Sequence, residues 1–328
     1  MLDTTPFDTE FTSAARRTTS GVQVAALIGQ GIARSLTPPM HEREAAHHGL
    51  DYRYLVLDVP AASAATLDLG AVLDRAAAAG LVGMNVTHPF KQRVLAHLDE
   101  LSPDAQRLGA VNTVVFDEGR MIGHNTDWSG FARSFDRGLG TPVDGSAPVA
   151  RGSVVQIGAG GAGSAVAYAM LHAGVGHFHL VDTDTTRSAA LAASMRSLFD
   201  TEITSGGIDS IPAALPVADG LVHATPIGMA HHPGIAVDPA LLRPDLWVAD
   251  VVYRPVITEL IAAARAVGAR TLPGDGMAVG QAVDALRLFT GIEPDADRMT
   301  RHIAELIAAE DQASRDLAAR DLADRRSA

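Results

Sequence analysis

Ser153-Val154-Val155-Gln156-Ile157-Gly158-Ala159-Gly160-Gly161-Ala162-Gly163 is the stretch that decides how this chain folds. Val154 to Ile157 read as a short buried strand, the glycines keep a Gly-x-Gly-x-x-Gly spacing, and an alanine-rich helix runs on to about Ala173. The spacing alone is weak. Set between a strand and a helix, it specifies a turn that cradles a dinucleotide. Gly158 permits the tight turn, Gly160 lets a pyrophosphate approach the backbone, and Gly163 lets the helix pack close to the sheet. Ala159, Gly161 and Ala162 complete the cradle, and the first helical N–H groups are left for phosphate oxygens. The competing reading is a glycine-rich turn with a structural role only.

Asp182 stands 24 residues beyond Gly158, at the end of the next strand, HFHLVD. A carboxylate there accepts hydrogen bonds from the adenosine ribose hydroxyls and repels a 2'-phosphate. Thr183 brings no cation to offset that repulsion, and Arg187 lies on the following helix. NAD is therefore the expected cofactor, with NADP possible but disfavoured. Asp184 either caps that helix, before Thr185 and Thr186, or reaches the ribose.

Downstream, a helix over about Thr186–Phe199, then GLVHATP, WVADVVY and TLPG, continue an alternation of strands and helices that argues for a parallel sheet covered on its faces. Upstream, strands are expected at Val22–Gly29 and Tyr52–Val59, with a helix starting at Thr37-Pro38-Pro39 between them. A helix over Leu69–Ala79 ends at Gly80, before the apolar segment Leu81–Val86. His88-Pro89-Phe90-Lys91 reads as a further helix start, and GAVNTVVFDEGRMIGHNTD as two strands around Asp117-Glu118-Gly119. The small residues of Gly138–Gly152 form a surface connection. Helices over about Met277–Thr290 and Arg298–Ala309 are placed to return to the first part of the chain.

The expected fold is thus α/β, a Rossmann-type parallel-sheet cofactor domain with a separate α/β substrate domain and the active-site cleft between them. Residues 1–24 form a polar extension, 25–127 and 277–310 a discontinuous substrate-binding domain, 128–276 the dinucleotide-binding domain, and 311–328 a charged end. That end is either a solvent-facing extension of the last helix or a frayed tail.

With 328 residues and 47% hydrophobic composition, the chain can bury two cores of ordinary size. Its formal net charge of -12 disfavours a nucleic-acid partner. No cysteine is present, which removes disulfides and thiolate chemistry and only weakly implies a reducing compartment. Neither a secretory-type apolar run near the start nor a membrane-length apolar stretch is found, so a cytoplasmic protein with no membrane partner is expected.

Three polar clusters each follow an expected strand: Asn85-Val86-Thr87-His88-Pro89-Phe90-Lys91, Ala110-Val111-Asn112-Thr113 and His124-Asn125-Thr126-Asp127. Converging at one sheet edge, they suit a molecule with several hydroxyls, which calls for neutral donors and acceptors and few full charges. Lys91 and Asp127 are the members able to move protons, since desolvation and a nearby carboxylate pull an amine's acidity in opposite directions. Their division of labour stays open. His88 is a rival acid-base group, or a cap or wall residue. A surface lysine and a strand-end aspartate are the alternative to any catalytic role. His47-His48 and His231-His232 lack carboxylates at ligand spacing, so no metal is expected.

From about Leu27 to Leu306 the chain resembles the shikimate dehydrogenase family, especially its NAD-using quinate/shikimate branch. LIGQGIARSLTPPMH, GMNVTHPFK, LGAVNTVV, GHNTDWSGF, IGAGGAGSAVAYA, HATPIGM, DVVYRPVITEL and GMAVGQAVDALRLFTG carry the resemblance by their order and spacing. It implies Lys91 and Asp127 as the catalytic pair. It implies substrate ligands at Ser35, Thr37, Thr87, Asn112, Tyr253 and Gln281, beside Asn85 and Asp127 of the polar clusters. Val251, Gly274 and Met277 would neighbour the nicotinamide, with Thr225 in the wall beneath the cofactor. Three departures stand out. Asp182-Thr183-Asp184 replaces the Asn-Arg-Thr usual in NADP-using members, His223 replaces an asparagine, and Ser35-Leu36-Thr37 replaces Ser-x-Ser.

The reading that follows is a reversible NAD-dependent oxidation of quinate to 3-dehydroquinate and of shikimate to 3-dehydroshikimate. Two alternatives are a biosynthetic NADP-dependent shikimate dehydrogenase and a non-catalytic dinucleotide-binding sensor. The expected partners are quinate, shikimate or their 3-dehydro ketones, in a monomer or homodimer.

Overall fold

The computed structural model describes residues 7–141 and 145–327, with side chains described as far as Glu310 and at Gln312. The first sheet contains β1 (Gln23–Gly29), β2 (Tyr52–Asp58), β3 (Gly83–Val86), β4 (Glu100–Leu101), β5 (Thr113–Asp117) and β6 (Arg120–His124). The second contains β7 (Ser153–Ile157), β8 (His177–Val181), β9 (Glu202–Gly206), β10 (Gly220–His223), β11 (Trp247–Asp250) and β12 (Thr271–Leu272). Around them lie α1 (Asp8–Thr19), α2 (Thr37–His47), α3 (Ala61–Ala64), α4 (Leu69–Ala78), α5 (Pro103–Leu108) and α6 (Thr126–Phe135). The remaining helices are α7 (Gly161–His172), α8 (Thr185–Arg196), α9 (Ile211–Ala214), α10 (Glu259–Ala266), α11 (Asp275–Thr290) and α12 (Ala296–Ser327).

The second sheet is parallel throughout, in the order β12-β11-β10-β7-β8-β9. Its direction of winding reverses between β7 and β10, which opens a crevice at the carboxyl ends of those strands. Period-2 alternation explains why both faces are covered. Val154, Phe178, Leu180, Val222 and Ala249 point into one core with α7, whereas Val155, Val181, Leu221 and Val248 point into the other with α10.

The first sheet is mixed, in the order β2-β1-β3-β5-β6-β4. Because β5 runs antiparallel to β3 and β6 antiparallel to β5, Asn85, Thr113 and His124 stand side by side across three strands. The hairpin closes through Glu118 and Gly119, both at positive φ, as a two-residue turn requires. Its geometry returns the chain to the edge where β3 ends, and all three polar clusters meet there.

The C-terminal part does return. Ala285, Leu286 and Phe289 of α11 cover Ala25, Leu27, Tyr52 and Tyr54 on the second face of the first sheet. At the other end of α11, Met277 joins the core of the second sheet with Phe131 and Phe135 of α6. The divisions at 127/128 and 276/277 therefore fall inside α6 and α11 rather than in loops. The two helices touch through Gly130 and Gly280, where a Cβ on Gly130 would lie 2.5 Å from the Gln281 nitrogen.

Several local expectations need correction. His88-Pro89-Phe90-Lys91 does not start a helix: Phe90 N–H closes a turn onto the Thr87 carbonyl, and only a short 3-10 segment, Arg93–His97, follows. A residue before proline disfavours the helical region, which explains the turn. The polar extension holds α1, whose Phe11 and Ala14 are buried in the core of the first sheet. The charged end continues α12 as helix to Ser327. Among the described residues, no helix is long and apolar enough to cross a membrane.

His41, on α2, sits wholly inside this core with its Nδ1 3.3 Å from the Tyr52 hydroxyl and its Nε2 unpartnered among the described residues. Burial lowers its pKa from 6.5 to about 3, against a smaller opposing contribution from the Ala282 backbone. The folded chain thus keeps the ring neutral while the unfolded chain protonates it below 6.5, so stability falls as pH drops from there toward 3. Urea denaturation of the wild type at pH 7 and pH 5 should show about 2 kcal/mol of loss from this residue. His41→Leu should remove that step from the profile; an unchanged profile in the folded variant would refute the assignment.

Candidate active site

The dinucleotide turn is built by close backbone approaches. Gly158 has a φ of 107°, and a Cβ there would lie 2.4 Å from the Ala224 carbonyl oxygen. A Cβ on Gly163 would lie 2.2 Å from the Gly158 oxygen, so the third glycine brings α7 against the turn. Gln156, wholly buried in β7, donates from Nε2 to both the Gly158 and Gly163 carbonyls, at 2.9 and 2.8 Å. A polar residue inside the apolar run VVQI is the sequence signal that could have revealed this brace. Gly160 faces open space, and Gly161, Ala162 and Gly163 begin α7, so the residues present fit a pyrophosphate.

Asp182 closes the other side. Its Oδ2 accepts the Ala159 N–H at 2.8 Å, and its Oδ1 accepts the Asp184 N–H at 2.9 Å and the Thr183 hydroxyl at 3.3 Å. Burial pulls this carboxyl upward, but the Asp184 and Ala159 N–H groups and the Thr183 hydroxyl outweigh it and hold the pKa below the usual range. Asp184 caps α8, accepting from Thr186 N–H at 3.0 Å, and its carboxylate lies 3.4 Å from Arg187.

Across the cleft, Lys91 and Asp127 form an ion pair, Nζ to Oδ2 at 2.5 Å, with both side chains largely buried. Asp127 Oδ1 accepts from Asn112 Nδ2 at 3.0 Å, and Asn112 Oδ1 accepts the Thr126 N–H at 2.7 Å. Asn125 caps α6 through the Asp127 N–H, fixing where the carboxylate projects. Asn85 is spent internally: it accepts from the Tyr54 hydroxyl and donates to the Asn112 carbonyl and Thr113 Oγ1. It therefore holds Asn112 in place, and Tyr54 joins a network that sequence reasoning missed.

The other expected residues lie on several elements. Thr87 directly follows β3, and Ser35 Oγ accepts the Thr37 N–H at 3.3 Å at the start of α2. Tyr253 packs against the cluster containing Leu36, Met40 and Val279, which draws the loop after β11 toward Ser35 and Thr37. Burial raises the Tyr253 pKa, so its hydroxyl keeps its proton. Gln281 follows Gly280 on α11 and donates to the Ala278 carbonyl at 3.0 Å. Gly274 stands against Val251, whose oxygen would be 2.4 Å from a Cβ there, and Met277 lies one turn further along α11. Thr225 Oγ1 is 2.5 Å from His223 Nε2. His88, by contrast, is exposed, and His48 is engaged by Glu44 at 3.2 Å. Among the described residues, no three His, Cys, Asp or Glu side chains are grouped as metal ligands.

The two halves of the site meet: a Cβ on Gly161 would be 4.0 Å from Lys91 Cδ. The Lys91–Asp127 ion pair thus faces the opening of α7, with the neutral amide of Asn112 beside it.

Known proteins resemble this chain in sequence and fold. Residues 27–114 match the shikimate dehydrogenase substrate binding domain family. The chain is 53% identical over 290 residues to a shikimate dehydrogenase (NADP(+)) of Pseudarthrobacter chlorophenolicus, covering 88% of this chain and 96% of that protein. It is 50% identical over 279 residues to a quinate/shikimate dehydrogenase (NAD(+)) of Corynebacterium glutamicum, covering 83% and 95%. The structure of quinate dehydrogenase from Corynebacterium glutamicum in complex with NAD superposes with a TM-score of 0.80 at 46% identity, over 87% of this chain and 99% of that one. Relatives this similar over nearly their full length, on both sides of the NAD/NADP divide, place the chain in the shikimate dehydrogenase family, as an oxidoreductase of shikimate- or quinate-like acids that works with a dinucleotide.

Proposed function

We propose that the protein is an NAD-preferring dehydrogenase that interconverts shikimate, and also quinate, with the corresponding 3-dehydro ketone. The observation that carries the cofactor choice is the Asp182 carboxylate, held charged by backbone donors beside the turn. A 2'-phosphate placed there meets like charge, and the nearby Arg187 is already beside Asp184. When bound, the dinucleotide exchanges a hydride at its nicotinamide C4 with the ring carbinol carbon. In the oxidising direction the substrate hydroxyl gives its proton to the Lys91/Asp127 pair, and in the reducing direction Lys91 Nζ returns a proton to the forming alkoxide. Asp127, fixed by Asn112 and the α6 cap, orients Nζ. Ser35, Thr37, Thr87, Asn112, Tyr253 and Gln281 orient the acid and its hydroxyls, with Asn85 acting through Asn112. Gly158 to Gly163, Thr225, Val251, Gly274 and Met277 line the dinucleotide side.

Quinate carries an extra hydroxyl on a tetrahedral C1 beside its carboxylate. Thr37, with a methyl that restricts its hydroxyl's rotamers, is the residue that bears on this end of the substrate. A second reading, NADP-dependent shikimate dehydrogenase, is favoured by the higher identity of relatives so named, 53–54% against 48–50% for those named with NAD. Overall identity, however, averages over the whole chain and does not address the residues beside the ribose.

Initial rates with quinate and shikimate against NAD and NADP test both choices. For either acid, kcat/KM should favour NAD by at least about tenfold, roughly 1.4 kcal/mol of transition-state preference. Equal or better efficiency with NADP would establish the second reading. No quinate turnover at millimolar concentration, in enzyme that oxidises shikimate, would reject dual specificity.

Lys91→Ala should lower kcat by roughly 10² to 10⁴ while NAD binding stays nearly intact. Asp127→Asn should also impair turnover, because Nζ loses its charged partner. Single-turnover rates on folded variants are the measurement. Near-wild-type chemistry in Lys91→Ala would remove the lysine from proton transfer.

A further inference from the structure

His223 and Asp250 are register partners at the carboxyl ends of β10 and β11. The imidazole is 1% exposed and both its nitrogens are engaged, Nδ1 with Asp250 Oδ1 at 2.9 Å and Nε2 with Thr225 Oγ1 at 2.5 Å. A carboxylate only accepts, so Nδ1 carries a proton toward Asp250, and Nε2 pairs with the Thr225 hydroxyl. Asp250 is itself held on both oxygens. Oδ1 also accepts the Val252 N–H at 3.0 Å, and Oδ2 accepts the Thr258 hydroxyl at 2.7 Å. Thr258 in turn caps α10 by accepting the Ile261 N–H.

The two ends of this chain of bonds back different parts of the dinucleotide side. Thr225 directs its methyl at the first glycine of the turn, and a Cβ on Gly158 would lie 3.0 Å from Thr225 Cγ2. The Thr225 hydroxyl also accepts the Ile227 N–H at 3.2 Å, so both of its bonds stay within the wall. At the other end, Val251 donates its N–H to the His223 carbonyl at 3.0 Å, and the Val251 and Val252 carbonyls face Gly274. Asparagine, usual here in the motif, carries both polar atoms on a single carbon. The imidazole spreads its two over a ring and so spans from Asp250 to Thr225.

We propose that His223 is a positioning residue for the dinucleotide: bridging Asp250 and Thr225, it holds Thr225 against the Gly158 turn and ties that wall to the Val251–Val252 backbone. It sets dinucleotide affinity and takes no part in proton or hydride transfer. The inference rests on dinucleotide use by the family and not on the preference for NAD.

Equilibrium titration of the full-length protein with NAD and with NADP, beside single-turnover rates at saturating dinucleotide, tests it. His223→Phe removes both bonds, and Thr225→Val keeps the methyl and loses the hydroxyl. Each should raise Kd by roughly tenfold, by the same factor for NAD and NADP, and His223→Phe should leave the single-turnover rate within about twofold of wild type. The double variant should bind no more weakly than His223→Phe alone, because both substitutions break one bridge. An equal factor for both dinucleotides keeps the result readable even if the wild type turns out to prefer NADP. Should His223→Phe fail to fold, Thr225→Val carries the same expectation for Kd. Unchanged Kd in a folded variant, additive losses in the double variant, or a slowed single-turnover rate with Kd unaltered would overturn the proposal.

Discussion

The close crossing of α6 and α11 is the constraint on which the site depends. Each helix is shared between the two sheets: α6 begins at the Asn112 network of the first and ends in the core of the second, while α11 runs the opposite way. Side chains on both surfaces would hold the axes apart, but Gly130 and Gly280 let backbone meet backbone. Next to that contact, Ser129 and Arg133 of α6 and Arg287 of α11 all donate to the buried carboxylate of Asp284. Asp127 lies one turn before Gly130, and Gln281 directly follows Gly280. The crossing therefore sets where the Asp127 carboxylate stands relative to the dinucleotide side, and a shift there would be felt in both halves at once.

Energetically, the cleft is arranged so that its charges are already satisfied before substrate arrives. A buried carboxylate without a partner costs several kcal/mol, whereas Asp127 has the Lys91 ammonium on one oxygen and the Asn112 amide on the other. The amide is oriented in turn by Thr126, while Asn85, which Tyr54 anchors from inside the core, holds the Asn112 backbone carbonyl. The Lys91 and Asp127 charges are thus paired, and the groups bonded around them, Asn112, Thr126 and Asn85, are neutral donors and acceptors. Water exclusion then strengthens each hydrogen bond without leaving an ion stranded.

The parts of this molecule legible in its sequence are those whose physics is local. A strand, three spaced glycines and a helix specify the turn at Gly158–Gly163, and the alternation beyond it specifies a parallel sheet. Asp182 and the convergence of the polar clusters were readable for the same reason. The family resemblance points further to Tyr253 and Gln281, which no spacing rule brings together. What stayed hidden depends on tertiary contact. Residues Asp8–Thr19 look like a polar extension because only Phe11 and Ala14 of that helix are fully buried. Asn85 looks like a ligand until Tyr54 and Thr113 are seen to use its amide. The short edge strands β4 and β9 lack a strong apolar run, and Asp250 and Thr258 have no signature that announces their bond to each other.

The 4.0 Å separation between an imagined Cβ on Gly161 and Lys91 Cδ has an evolutionary side. The first residue of the dinucleotide helix and the Lys91 stem lie within van der Waals reach of each other. Alanine at 161 makes ordinary contact with the lysine, and a longer side chain aimed the same way displaces it. Mutational paths that add a side chain there are thereby coupled to position 91, whereas Asp182, held by Ala159, Thr183 and Asp184, lies on the turn's other side.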